Sequence, residues 1–351
     1  MDSSNTVITK ETKNRIQVDY EGKLSFKERL MKKLQSSHTW IKVVVSILKF
    51  ILMLGVSYVI LFPFFAKIAG SFMSKTDIVD PTVSLIPKNF TFEIYTSIIK
   101  DMKYIEAFFN TLLLSLLCAI VQTFIACLVG YGIAKFKFKL NKFVMLAVVI
   151  TMLIPHATLR GAMYWRFSNF DITVRAFGDA GIFHAIFGQL DLINTFWPLL
   201  ILSIGGLAFK NGLYIYMMRQ FFKGVPDELE ESAYVDGSGT FRTFIQIILP
   251  LSIPMMITIF LFAFSWQWTD QFYTTTFFTD AKGDVVRLMP DLINADMATL
   301  AIWDDKFAGK ELYRQVIVNS AGIMIILPLV IMYLFCQKYL VQGIERSGLV
   351  G

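Results

Sequence analysis

The chain has 351 residues, 55% of them hydrophobic and 17% charged, with a formal net charge of +6 and a mean hydropathy of +0.56. A soluble domain carries roughly 45–50% apolar and about 25% charged residues, so this composition excludes an ordinary soluble protein and points to an integral membrane protein. The positive charge is no nucleic-acid signature, because nine of the lysines and arginines fall within residues 1–42, ahead of the first apolar segment. There they act as an orientation signal.

Residues 1–42 are too long and too polar for a signal peptide and read as a basic cytoplasmic tail. A helix needs about 20 apolar residues to cross the hydrocarbon core. Six stretches qualify: 43–66, 107–134, 143–159, 196–218, 247–266 and 316–340. The expected fold is therefore all-α, a polytopic membrane protein with six transmembrane helices, with 341–351 as a cytoplasmic tail. "KFKFKLNK" at 135–142 carries four lysines and no acid. The positive-inside rule places it in the cytoplasm, which leaves 67–106, 160–195 and 267–315 as outer loops. The last of these is acidic, with Asp280, Asp284, Asp291, Asp296, Asp304 and Asp305. Cys118, Cys127 and Cys336 lie in apolar runs and read as buried small hydrophobes. His38, His156 and His184 have no metal-ligand spacing.

"FFNTLLLS" at 108–115 and "LINTFWPLL" at 192–200 each hold an Asn-Thr pair where an inward-running helix should begin, a good N-cap. The functional alternative is that these residues, Asn110 among them, touch a transported substrate. Lys210 and Asn211 interrupt the fourth span. Lys210 is eight residues before Met218, roughly 12 Å along a helix, within snorkelling reach of the inner headgroups. The alternative is a functional intramembrane charge.

Residues 226–239, "PDELEESAYVDGSG", place five acids on the cytoplasmic side, where anionic lipids repel them. Pro226 suits the first helical position, Asp227 and Glu228 the positive end of a helix dipole, and Gly237 a left-handed helix end after Asp236. Ser238 or Thr240 can cap a second helix running to Pro250. The expected element is a helix–glycine–helix hairpin held off the membrane. A solvated acidic loop that obeys the capping rules fits the same residues equally well.

"EESAYVDGSGTFRTFIQIILPLSIP" resembles the cytoplasmic coupling signature of ABC importer permeases: Glu-Ala-Ala, three residues, Gly, then Ile-x-Leu-Pro. Glu231, Ser232 and Ala233 stand at the triplet, Gly237 at the glycine, and Ile247, Leu249 and Pro250 at the end. "AFFNTLLLSLLCAIVQTFIACLVGYGIAKFKFKLNK" resembles the second span of carbohydrate permeases. "QKYLVQGIERSGLVG" is similar to the tail of the maltose-type second permease subunit, although the lysine expected before the last glycine is Val350 here. The resemblance covers roughly residues 45–351 and is weakest at 160–190, where this chain is longer than the family pattern.

The resemblance implies one permease subunit of a carbohydrate ABC importer, paired with a different permease, two cytoplasmic ATPase subunits and an extracytoplasmic sugar-binding protein. Glu230, Glu231, Ser232, Ala233, Asp236, Gly237 and Pro250 would couple to the ATPase. Gly309-Lys310-Glu311 is no nucleotide-binding loop, so ATP and Mg belong to the separate ATPase, and no cofactor or metal is expected on this chain. At 262–278, "FAFSWQWTDQFYTTTFF" sets Trp266, Trp268 and Tyr273 beside Asp270. Such aromatic and polar neighbours suit a sugar path, and equally an interfacial aromatic belt. The family's Trp-Asn-Asp or Trp-Asn-Glu is Trp268-Thr269-Asp270 here. Tyr164, Trp165, Arg166 and Phe170 are expected to dock the binding protein or roof the cavity. Rival functions are import of a non-sugar solute, a membrane enzyme of glycosyl transfer, and a secondary transporter. The enzyme lacks a paired His or metal motif, and the secondary transporter lacks a repeated pattern of intramembrane charges.

Overall fold

A computed structural model describes residues 9–11, 17–19, 37–170, 190–279 and 286–348. It falls into two units, residues 1–66 and 67–351. The first holds a short antiparallel ribbon, β1 (Thr9–Glu11) with β2 (Gln17–Asp19), a small addition to an otherwise helical expectation. It also holds most of α1 (Ser37–Gly70), whose apolar side chains from Ile41 to Phe65 are exposed.

The second unit begins with two short helices, α2 (Lys75–Val79) and α3 (Glu93–Lys100). There follow α4 (Tyr104–Lys135), α5 (Asn141–Leu153), α6 (His156–Ser168), α7 (Trp197–Ile204), α8 (Asn211–Lys223), α9 (Glu228–Val235) and α10 (Thr240–Thr243). A π-helical turn, Phe244–Ile248, joins α10 to α11 (Leu249–Trp268). Pro250 explains that turn: it has no N–H for the Gln246 carbonyl, and the Leu249 N–H reaches back to Phe244 instead. The chain ends with α12 (Thr274–Phe277) and α13 (Lys310–Gly348).

Among the described residues, four helices are long and apolar enough to cross a membrane: 41–70, 104–135, 240–268 and 310–340. The pair α5–α6 makes a fifth if its 99° bend is one crossing. The six continuous spans expected from hydropathy are thus not what forms. In the third, Pro155 cannot continue the hydrogen-bond ladder, and Ile154 before it is extended (φ −71°, ψ 120°). In the fourth, the helix stops at Gly205 and restarts at Asn211, with left-handed Gly206 (φ +70°) and Lys210 (φ +67°) between. Side chains bridge the break from within the bundle. Asn211 donates to the Ser203 carbonyl at 3.1 Å, and Gln122 of α4 donates to Ser203 Oγ at 3.1 Å.

α4 is the axis of the bundle. Ala119, Ala126 and Cys127 on it are buried against Tyr214, Met218 and Phe222 of α8, Met255, Ile259 and Ala263 of α11, and Ile317, Ala321 and Ile325 of α13. Apolar lipid offers helices little drive to associate, so close backbone approach does the work. Gly130 shows it: a Cβ there would stand 2.6 Å from Met218 Cβ and 3.0 Å from the Arg219 nitrogen. Gly212 does the same between α8 and α5, where a Cβ would meet Thr151 Oγ1 at 2.5 Å. Cys118 and Cys127 are buried as expected, and Cys336 is half-buried.

The Asn-Thr pairs do not cap helices. α4 starts six residues before Asn110, so Asn110 and Thr111 lie inside it and tie down the segment at 287–289. Asn110 donates to the Arg287 carbonyl at 3.1 Å, and Thr111 Oγ1 accepts the Met289 N–H at 2.8 Å. The N-cap of α7 is Phe196, while Asn194 Oδ1 accepts the Thr279 N–H. Asp280, Asp284, His184 and residues 171–189 of the long outer loop lie outside the described residues.

Candidate functional site

The 226–250 hairpin forms between two membrane segments, one residue pattern at a time. α9 begins at Glu228 with Asp227 as its N-cap, so Pro226 lies two residues ahead of the first helical position rather than on it. The helix ends as its glycine dictates. Gly237 takes φ +81°, its N–H bonds the Tyr234 carbonyl at 3.0 Å, and the Ser238 N–H bonds the Ala233 carbonyl at 2.9 Å. These two bonds are the Schellman closure. Gly239, not Ser238 or Thr240, then caps α10, while Ser238 Oγ accepts from Thr243 Oγ1 at 3.2 Å.

The predicted coupling residues divide into an inner and an outer set. Glu230 and Ala233 face inward and are buried. Glu231, Ser232, Asp236, Gly237 and Pro250 are exposed. Apolar side chains accompany the exposed set: Val235 is 87% exposed and Phe241 75%. The tip therefore presents a mixed acidic and apolar face.

Lys135, the last residue of α4, locks the inner set to the bundle. Its side chain is 7% exposed, and its ammonium donates to the Val225 carbonyl at 2.6 Å and to Asp227 Oδ1 at 2.5 Å and stands 3.8 Å from Glu230 Oε1. Tyr131, one helical turn earlier, donates to Glu230 Oε2 at 3.5 Å. Burial pushes the Glu230 carboxyl above its ordinary pKa, with Lys135 pulling the other way. The hydrogen bond from Lys135 holds Asp227 below its ordinary value. Sequence reasoning used Lys135 for orientation alone. Its place at the end of a span, with acids in the 226–236 segment, is the signal that could have found this lock.

Of the residues expected on a substrate path, Trp266, Asp270 and Tyr273 meet at one cavity, and Asn110 and Trp268 are not among its lining residues. Trp268 is 1% exposed. Its Nε1 donates to the Ile325 carbonyl at 2.9 Å, and its ring packs on Phe108 and Phe264. It is a core residue joining α11 to α13, because two residues, about 200° of helix, put it on the face opposite its exposed neighbour. Trp266 is that neighbour, 48% exposed. Asp270 caps the turn before α12, accepting the Tyr273 N–H at 2.8 Å. Its burial raises its pKa to about 6, against hydrogen bonds from the backbone and the nearby Arg160. Tyr273 is buried, and with Trp266, Asp270 and Gln122 it lines a cavity of about 10 Å³.

Lys210 lies farther from a helix end than eight residues: α8 runs on to Lys223, about 20 Å away. The Lys210 ammonium lies 4.8 Å from the Phe209 ring and 5.0 Å from the Trp266 ring. Of the outer-loop residues, Tyr164 and Trp165 are exposed on α6, Arg166 lies over Phe170, and Phe170 stacks on Phe167. Arg160, which sequence analysis passed over, pins α6 to α12 through Thr275 at 2.7 Å and Thr276 at 3.1 Å.

Residues 122–346 match the family described as binding-protein-dependent transport system inner membrane component. The chain belongs to that family. Its similarity to individual members is low but spans nearly their full length. The galactooligosaccharides transport system permease protein GanQ of Bacillus subtilis is 24% identical over 86% of this chain and 94% of its own. The maltodextrin transport system permease protein MalD of Streptococcus pneumoniae is 27% identical over the same shares, 86% and 94%. Among solved structures, a chain of a bacterial ABC transporter involved in the import of the acidic polysaccharide alginate shares the fold. The TM-score is 0.64 at 19% identity, over 90% of this chain and 98% of that one. This permease is thus a multi-pass inner-membrane transport component.

Proposed function

We propose that this chain forms half of the translocation path of an ATP-driven, binding-protein-dependent saccharide importer. The observation that carries the reading is the hairpin: a glycine-closed helix with an exposed acidic and apolar tip, locked at its root to the axial helix by Lys135. Such a lever moves with α4 when a partner grips its tip. The saccharide class is supported by relatives named for galactooligosaccharide and maltodextrin transport.

In this reading the bundle crosses the membrane six times, two of the crossings being the broken pairs α5–α6 and α7–α8. Residues 1–42, the 135–142 turn, the hairpin and the 341–351 tail are cytoplasmic. A different permease supplies the other half of the path, two separate ATPase subunits hold ATP and Mg, and an extracytoplasmic protein delivers the sugar. Trp266, Asp270 and Tyr273 line the path, while Asn110 and Trp268 hold its walls.

The test is a cross-link. Val235→Cys and Phe241→Cys, on the exposed tip, are placed singly in the chain purified with its co-expressed partners, and a short bifunctional maleimide is added. Cross-links to an ATPase polypeptide are expected from both. If neither position links to an ATPase while the partners copurify, the hairpin is not the coupling element.

A further inference from the structure

Two helix breaks meet at one cavity. α5 gives way to α6 at Pro155, and α7 gives way to α8 across Gly205–Lys210. Between them lies a cavity of about 260 Å³ whose lining includes Thr151, Pro155, His156, Phe209, Lys210 and Gly212. Two 13-residue helices, α6 and α8, thus begin on its wall, and neither has a side-chain cap. Among the described residues, the first-turn amides of Gly212 and Leu213 have no backbone acceptor. Helix amino ends carry partial positive charge and present free N–H groups to anions. Interrupted membrane helices often place those ends at a transported anion.

Lys210 adds a full charge at the same point. It makes no ion pair among the described residues, and its ammonium is held by two aromatic faces, Phe209 and Trp266. The backbone there is left-handed, φ +67°, a strained setting for a lysine that points to a site with a use for it. Asp270 does not neutralise it: that carboxylate is occupied by the Tyr273 N–H and faces Arg160. His156 packs edge-on to Phe209 and sits against the Leu207 backbone on the opposite wall. The wall therefore gathers a lysine, two helix amino ends and an imidazole with no resident carboxylate among the described residues. An isolated cation within a membrane is costly without a counter-charge.

We infer that this cavity takes the carboxylate of an acidic saccharide, a uronate unit, between Lys210 and the amino ends of α6 and α8. The inference rests on the saccharide-permease reading and narrows its substrate class. A neutral sugar would leave the lysine unpaired at every passage.

The test uses the transporter complex in phosphatidylcholine nanodiscs without its binding protein. Calorimetric titration compares trigalacturonate, maltotriose and inorganic phosphate. Trigalacturonate is expected to bind at least about tenfold tighter than maltotriose, a gap of about 1.4 kcal/mol, and to weaken as salt rises. This wild-type preference is read before any variant. Lys210→Gln should remove the preference, leaving maltotriose unchanged, and Lys210→Arg should keep most of it. Both replacements bear the same left-handed backbone, so strain does not separate them. Equal binding of the two saccharides, phosphate binding as tightly as trigalacturonate, or a preference that survives Lys210→Gln overturns the inference. Saccharide-stimulated ATP hydrolysis, measured on the same complex with its binding protein added, reports the permease reading separately. Stimulation without anionic preference removes this site and leaves the permease; no stimulation by any saccharide removes both.

Discussion

Lys135→Met is the sharpest test of the lever. The methionine keeps an apolar stem of similar length but removes the cation that holds Val225, Asp227 and Glu230 together. Removing one partner of a fully buried ion pair costs about 3–5 kcal/mol. Less is expected here, because burial already raises the Glu230 pKa and so makes uptake of a proton easier, and Asp227 is open to water. What remains is the charged bond to the Val225 carbonyl and the stranded carboxyl, about 1–3 kcal/mol. Hydrogen exchange in the reconstituted complex measures it directly. The amides of 229–235 should exchange roughly 5–150-fold faster, at 1.4 kcal/mol per tenfold, while those of α4 stay protected. Glu230→Gln alone should change little, and adding it to Lys135→Met should recover part of the protection. The pH dependence has opposite signs at the two acids. A raised Glu230 pKa favours the docked hairpin at low pH, a gain lost as pH rises through that value. The lowered Asp227 pKa gives a gain that is lost as pH falls through it. Unchanged exchange in Lys135→Met would show that the hairpin is held by packing alone and that the lock has no mechanical part.

Gly237→Val forces a β-branched residue into φ +81° where nothing crowds its Cβ, so about 1–3 kcal/mol of pure backbone strain falls on the turn; membrane insertion should persist while saccharide-stimulated ATP hydrolysis falls. Glu231→Lys, on the exposed face, should lower stimulation without changing hairpin exchange. Trp268→Ala should cost about 3–5 kcal/mol of bundle stability by thermal unfolding, whereas Trp266→Ala should leave assembly intact and reduce uptake; the reverse ranking would undo the assignment of core and path. Bundle stability should decline as pH rises through about 6, because Asp270 is more easily protonated in the folded chain, and Asp270→Asn should flatten that profile.

The hairpin was legible because its signals are local. A glycine after an acid, small residues and carboxylates at a helix start carry their conformation with them, and only the caps moved, to Asp227 and Gly239. The span count was less legible because hydropathy averages over breaks. Residues 196–218 are apolar enough for one helix, yet Gly205 and Gly206 allow a break, and Asn211, Ser203 and Gln122 bridge it from three different helices. That pairing between distant residues has no mark in a local window. Trp266 and Trp268 show the same limit. Composition marks both as aromatic and near a membrane boundary, and only the packing of α11 against α13 sends one into the core. Asn110 looks like a cap because the apolar run starts just before it, whereas the helix already includes Tyr104, Ile105 and Glu106 ahead of that run.

ATP-dependent saccharide uptake tests the central claim most directly. The complex isolated through a tag on this chain is reconstituted into liposomes with its binding protein, and accumulation of labelled oligosaccharide is followed with ATP supplied on the ATPase side. The lever account predicts accumulation that requires ATP in the wild type and is lost in Gly237→Val at equal reconstitution. Accumulation that proceeds without ATP, or that Gly237→Val leaves unchanged, would contradict it.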